Sequence, residues 1–335
     1  VTTSETKAPS ASGDAEQTTF SWRVWLFGFL RRRGAIAVLL LVWAIAAFTF
    51  DGFLTATNLE NIAVQSAFLG LIVVGMTFVI ISGGIDLSVG SQLALGGVLA
   101  AYCATIAWPL ALIVPPLVCG SIGLVNGLLV AKAKMAPFIV TLAGLFGIRG
   151  LALALSGENV IGIDGGSAFN WFGQGQILGL SVPIIIAALA FVVGGIALIR
   201  TRYGQAIFAI GGNEDSARLM GIPVDRTKII AYTVNGLLAG LAGALLAARL
   251  SSGQPNAGEM WELDAISAVV IGGSLLTGGV GLMSGSVAGV LLLGTIQNLI
   301  NQVGTLGSYV QQLVSGLFLI AVVVIQAYLT RKERS

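Results

Sequence analysis

Long apolar runs recur along this chain, each bounded by short clusters of polar residues, Gly or Pro. Runs such as Gly34–Phe50, Ile62–Ile81, Val182–Leu198, Ile229–Ala248 and Tyr309–Ala327 are long enough, at about 1.5 Å rise per residue, to cross a hydrocarbon layer of about 30 Å as helices. The full pattern predicts ten spans, at 34–50, 62–82, 86–107, 109–131, 137–156, 181–199, 229–249, 264–281, 284–303 and 308–328. The weakest boundary is 82–91, where the chain could turn inside the membrane instead of in water. The predicted class is an all-α polytopic membrane protein.

Charge supports the count. Arg31, Arg32 and Arg33 immediately precede the first span and place the N-terminus on the cytoplasmic side. Alternation then puts the connections near 132–136 and 200–228, and the tail after 328, on that same side. With the N-terminal segment they carry 15 of the 17 basic residues; only Arg149 and Arg249 lie elsewhere. Opposite connections carry Asp51, Glu60, Glu158, Asp164, Glu259, Glu262 and Asp264. A span too many or too few would scramble this sorting. Only 10% of residues are charged, against about 25% in a soluble domain, so the chain cannot coat a water-soluble globule. Its 46 Gly suit closely packed membrane helices. Residues 1–30 read as a disordered cytoplasmic tail and 31–330 as one transmembrane domain. Both halves have five spans, an odd number, so a duplication would be inverted. Asp86–Ser88 leading to Gly96-Gly97 faintly echoes Asp264–Ser267 leading to Gly272-Gly273.

Little covalent chemistry is in sight. The chain has no His, and Cys103 and Cys119 fall inside apolar spans. No phosphate-binding loop, nucleophile elbow or metal-ligand spacing occurs. Three features stand out instead. In Ser82–Ser91 (SGGIDLSVGS) two glycines interrupt an apolar run and an acid and a hydroxyl follow at the next helix start. That pattern reads either as a cap at a tight turn or as a discontinuous helix beside a translocation path. Arg149 is the one basic residue well inside a span, so it needs a partner; Asp86 and the carbonyls of a broken helix are the candidates. Segment 200–228 turns at Gly211-Gly212-Asn213, continues as a short amphipathic helix over Glu214–Met220, and stops at Gly221 and Pro223. Its character suits docking of a partner protein. The aromatic residues of 157–180 and 250–263 read as membrane-interface anchors.

Several blocks then resemble a known family. Val74–Ser91, Asn126–Leu129, Pro137–Leu142, Arg149-Gly150, Tyr203-Gly204, Ala209–Asn213, Ala217–Ile222 and Glu262–Gly273 are similar, in order and spacing, to permease subunits of bacterial ABC sugar importers of the ribose, xylose and galactose class. Leu275–Gly281 and Gly304–Leu306 look most like a permease of galactofuranose importers. The resemblance implies a second, related permease chain, cytoplasmic ATPase subunits carrying ATP and Mg, and an extracytoplasmic sugar-binding protein. This chain itself is expected to hold no cofactor or metal and to be no enzyme. Asp86, Ser88, Asn126, Thr141 and Arg149 are the candidate pathway residues. The family's coupling helix maps onto 213–222, so Gly212, Asn213, Ala217, Leu219, Met220, Gly221 and Ile222 are the candidate ATPase contacts. The expected function is alternating-access passage of a monosaccharide in the bacterial inner membrane, with both termini cytoplasmic. The alternatives are an ion-coupled secondary transporter, for which Asp86 is a meagre supply of acids, and a membrane-embedded transferase.

Overall fold

The structure is a computed structural model that describes residues 22–303 together with Val310, Leu313, Gly316, Leu317 and Ile320. Apart from those five residues, the expected span 308–328 lies outside the described residues, as do residues 1–21 of the expected tail. The long helices are α1 (Trp22–Thr49), α2 (Ala56–Ile81), α3 (Val89–Ala104), α4 (Trp108–Ala131) and α5 (Pro137–Ser156). A connecting layer follows, with β1 (Ile161–Gly162), α6 (Trp171–Gln174), β2 (Gln176–Ile177) and β3 (Leu180–Ser181). The chain continues through α7 (Val182–Arg200), α8 (Arg202–Gly212), α9 (Glu214–Leu219), α10 (Val224–Leu250), β4 (Ser252–Gly253), α11 (Trp261–Ile271) and α12 (Met283–Val303). The strands make two antiparallel ribbons, β1 with β4 and β2 with β3.

Among the described residues, α2, α4, α5, α7, α10 and α12 are long and apolar enough to cross a membrane, and Gly34–Thr49 and Val89–Ala104 are shorter apolar stretches. Three boundaries differ from the sequence pattern. Helix α1 begins at Trp22, inside the expected tail, because Trp22–Leu30 is itself apolar and aromatic and continues the helix. The expected span 86–107 is helical only from Val89. The expected span 264–281 is an 11-residue helix, α11, followed by irregular chain from Gly272 to Leu282. Helices of 16 and 11 residues reach about 24 and 16 Å, short of the hydrocarbon thickness. Glycines explain the stops: Gly83 after α2 sits at φ +81° and Gly273 after α11 at +92°, where other residues are strained.

The core is built on α10, which packs most extensively on α4, then on α3 and α2. Small residues set these approaches. A methyl on Gly96 would meet the Gly240 carbonyl at 2.8 Å, one on Gly127 would meet Ile229 Cα at 2.8 Å, and one on Gly75 would strike Asn235. Close backbone approach of this kind replaces the hydrophobic drive that membranes do not supply. Helix α2 is buried along most of its length, whereas α4, α5 and α7 turn Leu117, Phe146 and Val192 outward.

The two halves share a plan. A long helix, an irregular break and a short helix follow one another in α2–α3 and again in α10–α11. Helix α2 ends beside α8, and α10 begins just after α9, so the two units run in opposite directions. Short α3 packs on α4, and short α11 packs on α12 through Ala268–Gly289 and Gly272–Gly285.

Candidate translocation and coupling sites

The first break, Ser82–Ser88, is closed by side chains from four other helices. Asp86 is fully buried. Its Oδ1 accepts from the Ser88 amide at 2.9 Å and the Ser88 hydroxyl at 2.6 Å, and its Oδ2 accepts from Asn235 Nδ2 at 3.0 Å. Ser88 is the hub: its Oγ also accepts from Gln92 Nε2 at 2.8 Å and Asn126 Nδ2 at 3.1 Å. Nearby, the Ile85 carbonyl accepts from Tyr232 Oη at 3.2 Å and Thr141 Oγ1 at 3.5 Å. These contacts tie the break to α3, α4, α5 and α10. Asn235 lies eleven residues into α10, so the knot sits about 16 Å along that helix. A carboxylate so deep needs donors on every lone pair it keeps from water, and here three are supplied without any cation.

Asp86, Ser88 and Asn126 are thus brought into one network, with Thr141 beside it. Arg149 is elsewhere. Its Nη1 donates to the Pro255 and Ala257 carbonyls, both at 2.8 Å, and Glu262 and Glu259 supply negative charge nearby. Of the candidate partners Asp86 is not the one used, because Thr141 and Gly144, eight and five residues earlier on α5, are what face the first break. Arg149 instead holds the second break, Ser251–Met260, where the chain runs down α3 from Gly253 to Gly258 before α11 starts. Its partners are carbonyls of this irregular strand, not of a helix end.

Sequence reasoning missed Gln92, Tyr232 and Asn235. Gln92 is one turn after Ser88, and Asn235 is an amide in an apolar run; both spacings were available as signals.

The other site is at the end where α8 meets α9. Asn213 caps α9, its Oδ1 accepting from the Ser216 amide at 2.8 Å, a contact generally worth about 1 kcal/mol. Ala217 is buried under α9 against Ile210 and Val224, with Ile222 alongside, while Leu219 is 90% and Met220 68% exposed. Gly221 at φ +79° turns the chain away. A methyl on Gly212 meets only open space; the sterically confined glycine is Gly211. Ion pairs fix the base. Glu214 pairs with Lys228, with Arg218 at 3.3 Å and with Lys134 at 3.7 Å, and Asp225 pairs with Arg218 at 2.9 Å and Lys134 at 3.1 Å. Partial burial opposes ionisation of Glu214, but the hydrogen bond and charge of Lys228, helped by Arg218 and Lys134, hold its carboxyl below the ordinary value. A two-turn helix therefore offers two apolar side chains on a mount clamped to α10 and the α4–α5 connection.

The connection between α5 and α7 is not simply a set of membrane anchors. Phe169 is buried, Phe172 stacks on Trp108 at 5.6 Å, and Gln174 Nε2 donates to the Ala248 and Arg249 carbonyls at the end of α10. Among the described residues no group of His, Cys, Asp and Glu could hold a metal ion.

Residues 58–323 match the family described as branched-chain amino acid transport system / permease component. The chain is 42% identical to the ribose import permease protein RbsC of Bacillus subtilis, the match covering 93% of this chain and 96% of that protein. It is 40% identical to RbsC of Escherichia coli K12, over 92% and 98% of the two chains. The L-arabinose transport system permease protein AraH of E. coli K12 is 36% identical, over 97% and 98%. No solved structure matches the chain significantly.

Proposed function

The chain belongs to the family of branched-chain amino acid transport system permease components, which makes it a multi-pass transport subunit and not an enzyme, and from that premise we propose that it forms the sugar path of an ATP-driven importer. Near-full-length similarity to ribose and arabinose permeases supports a monosaccharide as cargo. The structural observation that carries the reading is the clamped α9 with Leu219 and Met220 presented outward. In this reading α9 docks on a separate ATPase subunit that binds ATP and Mg, and this chain holds no cofactor. A second permease subunit completes the path and an extracytoplasmic binding protein delivers the sugar. The basic end carrying α8 and α9 faces the cytoplasm of a bacterial cell, with both termini on that side of the inner membrane. Asp86, Ser88, Asn126, Thr141 and Arg149 shape the path by closing the two breaks, and alternating access proceeds by rocking of the halves around them.

The relatives' names favour a pentose, whereas Leu275–Gly281 resembles galactofuranose permeases. Uptake of labelled ribose, arabinose and galactofuranose by vesicles holding the whole complex separates these cargoes. The docking reading is tested by Leu219→Glu. The variant should assemble in the membrane but lose ATPase co-purification and binding-protein-stimulated ATP hydrolysis. Normal stimulation in this variant would remove α9 as the docking element. Uptake driven by an ion gradient with no ATPase present would favour a secondary transporter instead.

A further inference from the structure

The exposed docking helix has no linker to the membrane core. Asn213, the cap of α9, directly follows Gly212, the last residue of α8. One residue earlier, Gly211 is wedged between the end of α2 and the irregular chain after α11, which are far apart in sequence. A methyl on Gly211 would fall inside van der Waals contact of the Ile81 carbonyl oxygen and the Gly279 amide nitrogen. A methyl on Gly278 would meet the Gly83 nitrogen at 2.9 Å and Gly211 Cα at 3.0 Å, and one on Gly279 would meet Gly212 Cα at 2.9 Å. The Gly279 amide donates to the Ile81 carbonyl at 2.9 Å. The turn that presents it is closed by Leu275 donating to Val280 and Gly278 donating to Leu275. The end of α2, the chain after α11 and the end of α8 therefore touch backbone to backbone, with no side chain between them to flex.

Apolar packing surrounds this contact. Phe78, Val79 and Ile81 of α2, Leu198 of α7, Ile207 of α8 and Met283 of α12 belong to one buried cluster. We propose that Gly211, Gly83 and the Gly278-Gly279 pair form a three-way backbone joint that makes α8–α9, the end of α2 and the chain after α11 move as one body. The inference rests on α9 being the docking helix and assigns Gly211 as a positioning residue for coupling. A push on α9 is then delivered at once to both inverted units: to α2, which leads into the Asp86 break, and to α11, which leaves the Arg149 break. Backbone contact suits this use because it has no rotamers to absorb displacement, and positive φ at Gly83, Gly278 and Gly279 leaves glycine as the residue that fits.

The test uses the whole importer, with its ATPase and binding protein, in lipid nanodiscs and in vesicles. Gly211→Ala is compared with Gln205→Ala, which alters an exposed position on the same helix. The expected result is that Gly211→Ala keeps ATP hydrolysis but lowers sugar transported per ATP by about fivefold or more, the low end of measured coupling between sites, while Gln205→Ala keeps the wild-type ratio. An unchanged ratio in Gly211→Ala, or an equal fall in hydrolysis and uptake, overturns the joint. Should Gly211→Ala fail to assemble, hydrogen exchange on the unaltered complex decides. The Gly279 amide should stay equally protected with and without an ATP analogue, and loss of protection on nucleotide binding overturns the proposal. If Leu219→Glu leaves transport intact, the docking reading itself falls. If Leu219→Glu abolishes transport while Gly211→Ala couples normally, only the joint falls.

Discussion

Removing the Ser88 hydroxyl tests whether the polar knot closes the first break. Ser88→Ala deletes one oxygen that takes part in three buried hydrogen bonds, to Asp86, Gln92 and Asn126, at 2.6, 2.8 and 3.1 Å. Side-chain hydrogen bonds between membrane helices average about 0.6 kcal/mol each, which gives roughly 2 kcal/mol for three. The true loss should exceed that, because both amides then point donors into a site closed to water, and an unmet buried polar group costs about 1–3 kcal/mol. A loss of about 2–4 kcal/mol is expected. The control is Ser121→Ala, whose exposed hydroxyl bonds only to the Val118 carbonyl of its own helix and whose removal should change stability by less than about 0.5 kcal/mol. Reversible unfolding in mixed detergent micelles measures both. A double-mutant cycle with Asn126→Ala should show coupling within the range of about 0.5–3 kcal/mol found for residues in one network. If Ser88→Ala falls within 0.5 kcal/mol of Ser121→Ala, or if the cycle is additive, the break is held by packing alone and the network argument fails.

Three other outcomes follow from the same geometry. Arg149→Ala should free the Pro255 and Ala257 carbonyls and raise hydrogen exchange across 251–260 without melting α5, and Arg149→Lys should restore protection only in part, because a strongly hydrated ammonium on a flexible stem replaces the planar, pre-organised group whose Nη1 serves both carbonyls. Gly123→Ala should destabilise the fold by about 1–3 kcal/mol through overpacking, since its methyl would run into the Tyr232 carbonyl, whereas Gly147→Ala, which meets open space, should be near neutral in the same unfolding assay. The Glu214 carboxyl is held below its unfolded value, so its contribution is complete above about pH 4.3, the ordinary Glu value, and is lost as pH falls through the lower folded value. Protease cleavage within 213–222 should therefore rise below that pH in the wild-type chain and show a smaller rise in Glu214→Gln, where Asp225, held below its ordinary value chiefly by Arg218, still titrates.

The all-α, multi-pass character was readable because lipid imposes a length on apolar helices. What the hydropathy pattern could not show is where an apolar run stops being a helix. Val269–Leu276 is as apolar as a span, yet α11 ends at Ile271. Gly272-Gly273 and Gly278-Gly279 were the visible warning, and they were readable as span residues because membrane helices tolerate glycine. Arg149 was rightly marked as needing a partner, but the partner is a pair of carbonyls more than a hundred residues away, and a carbonyl leaves no trace in side-chain chemistry. Gly211 and Gly212 are identical in sequence terms; only the neighbouring backbones distinguish the confined glycine from the free one.

The two breaks pose one problem and solve it differently. Chain that leaves a helix within a membrane protein exposes amides and carbonyls that lipid cannot satisfy. At the first break the Ile85 carbonyl takes the Tyr232 hydroxyl, and Asp86 takes the Ser88 amide. At the second, Arg149 serves two carbonyls at once. The polar residues that stand out in this apolar chain therefore mark where the backbone is irregular, before they say anything about where a sugar touches. Loss of transport in an Asp86 or Arg149 variant can be read as loss of a cargo contact only when the corresponding break keeps its hydrogen-exchange protection. Where protection falls together with transport, the residue acted on the wall and not on the cargo.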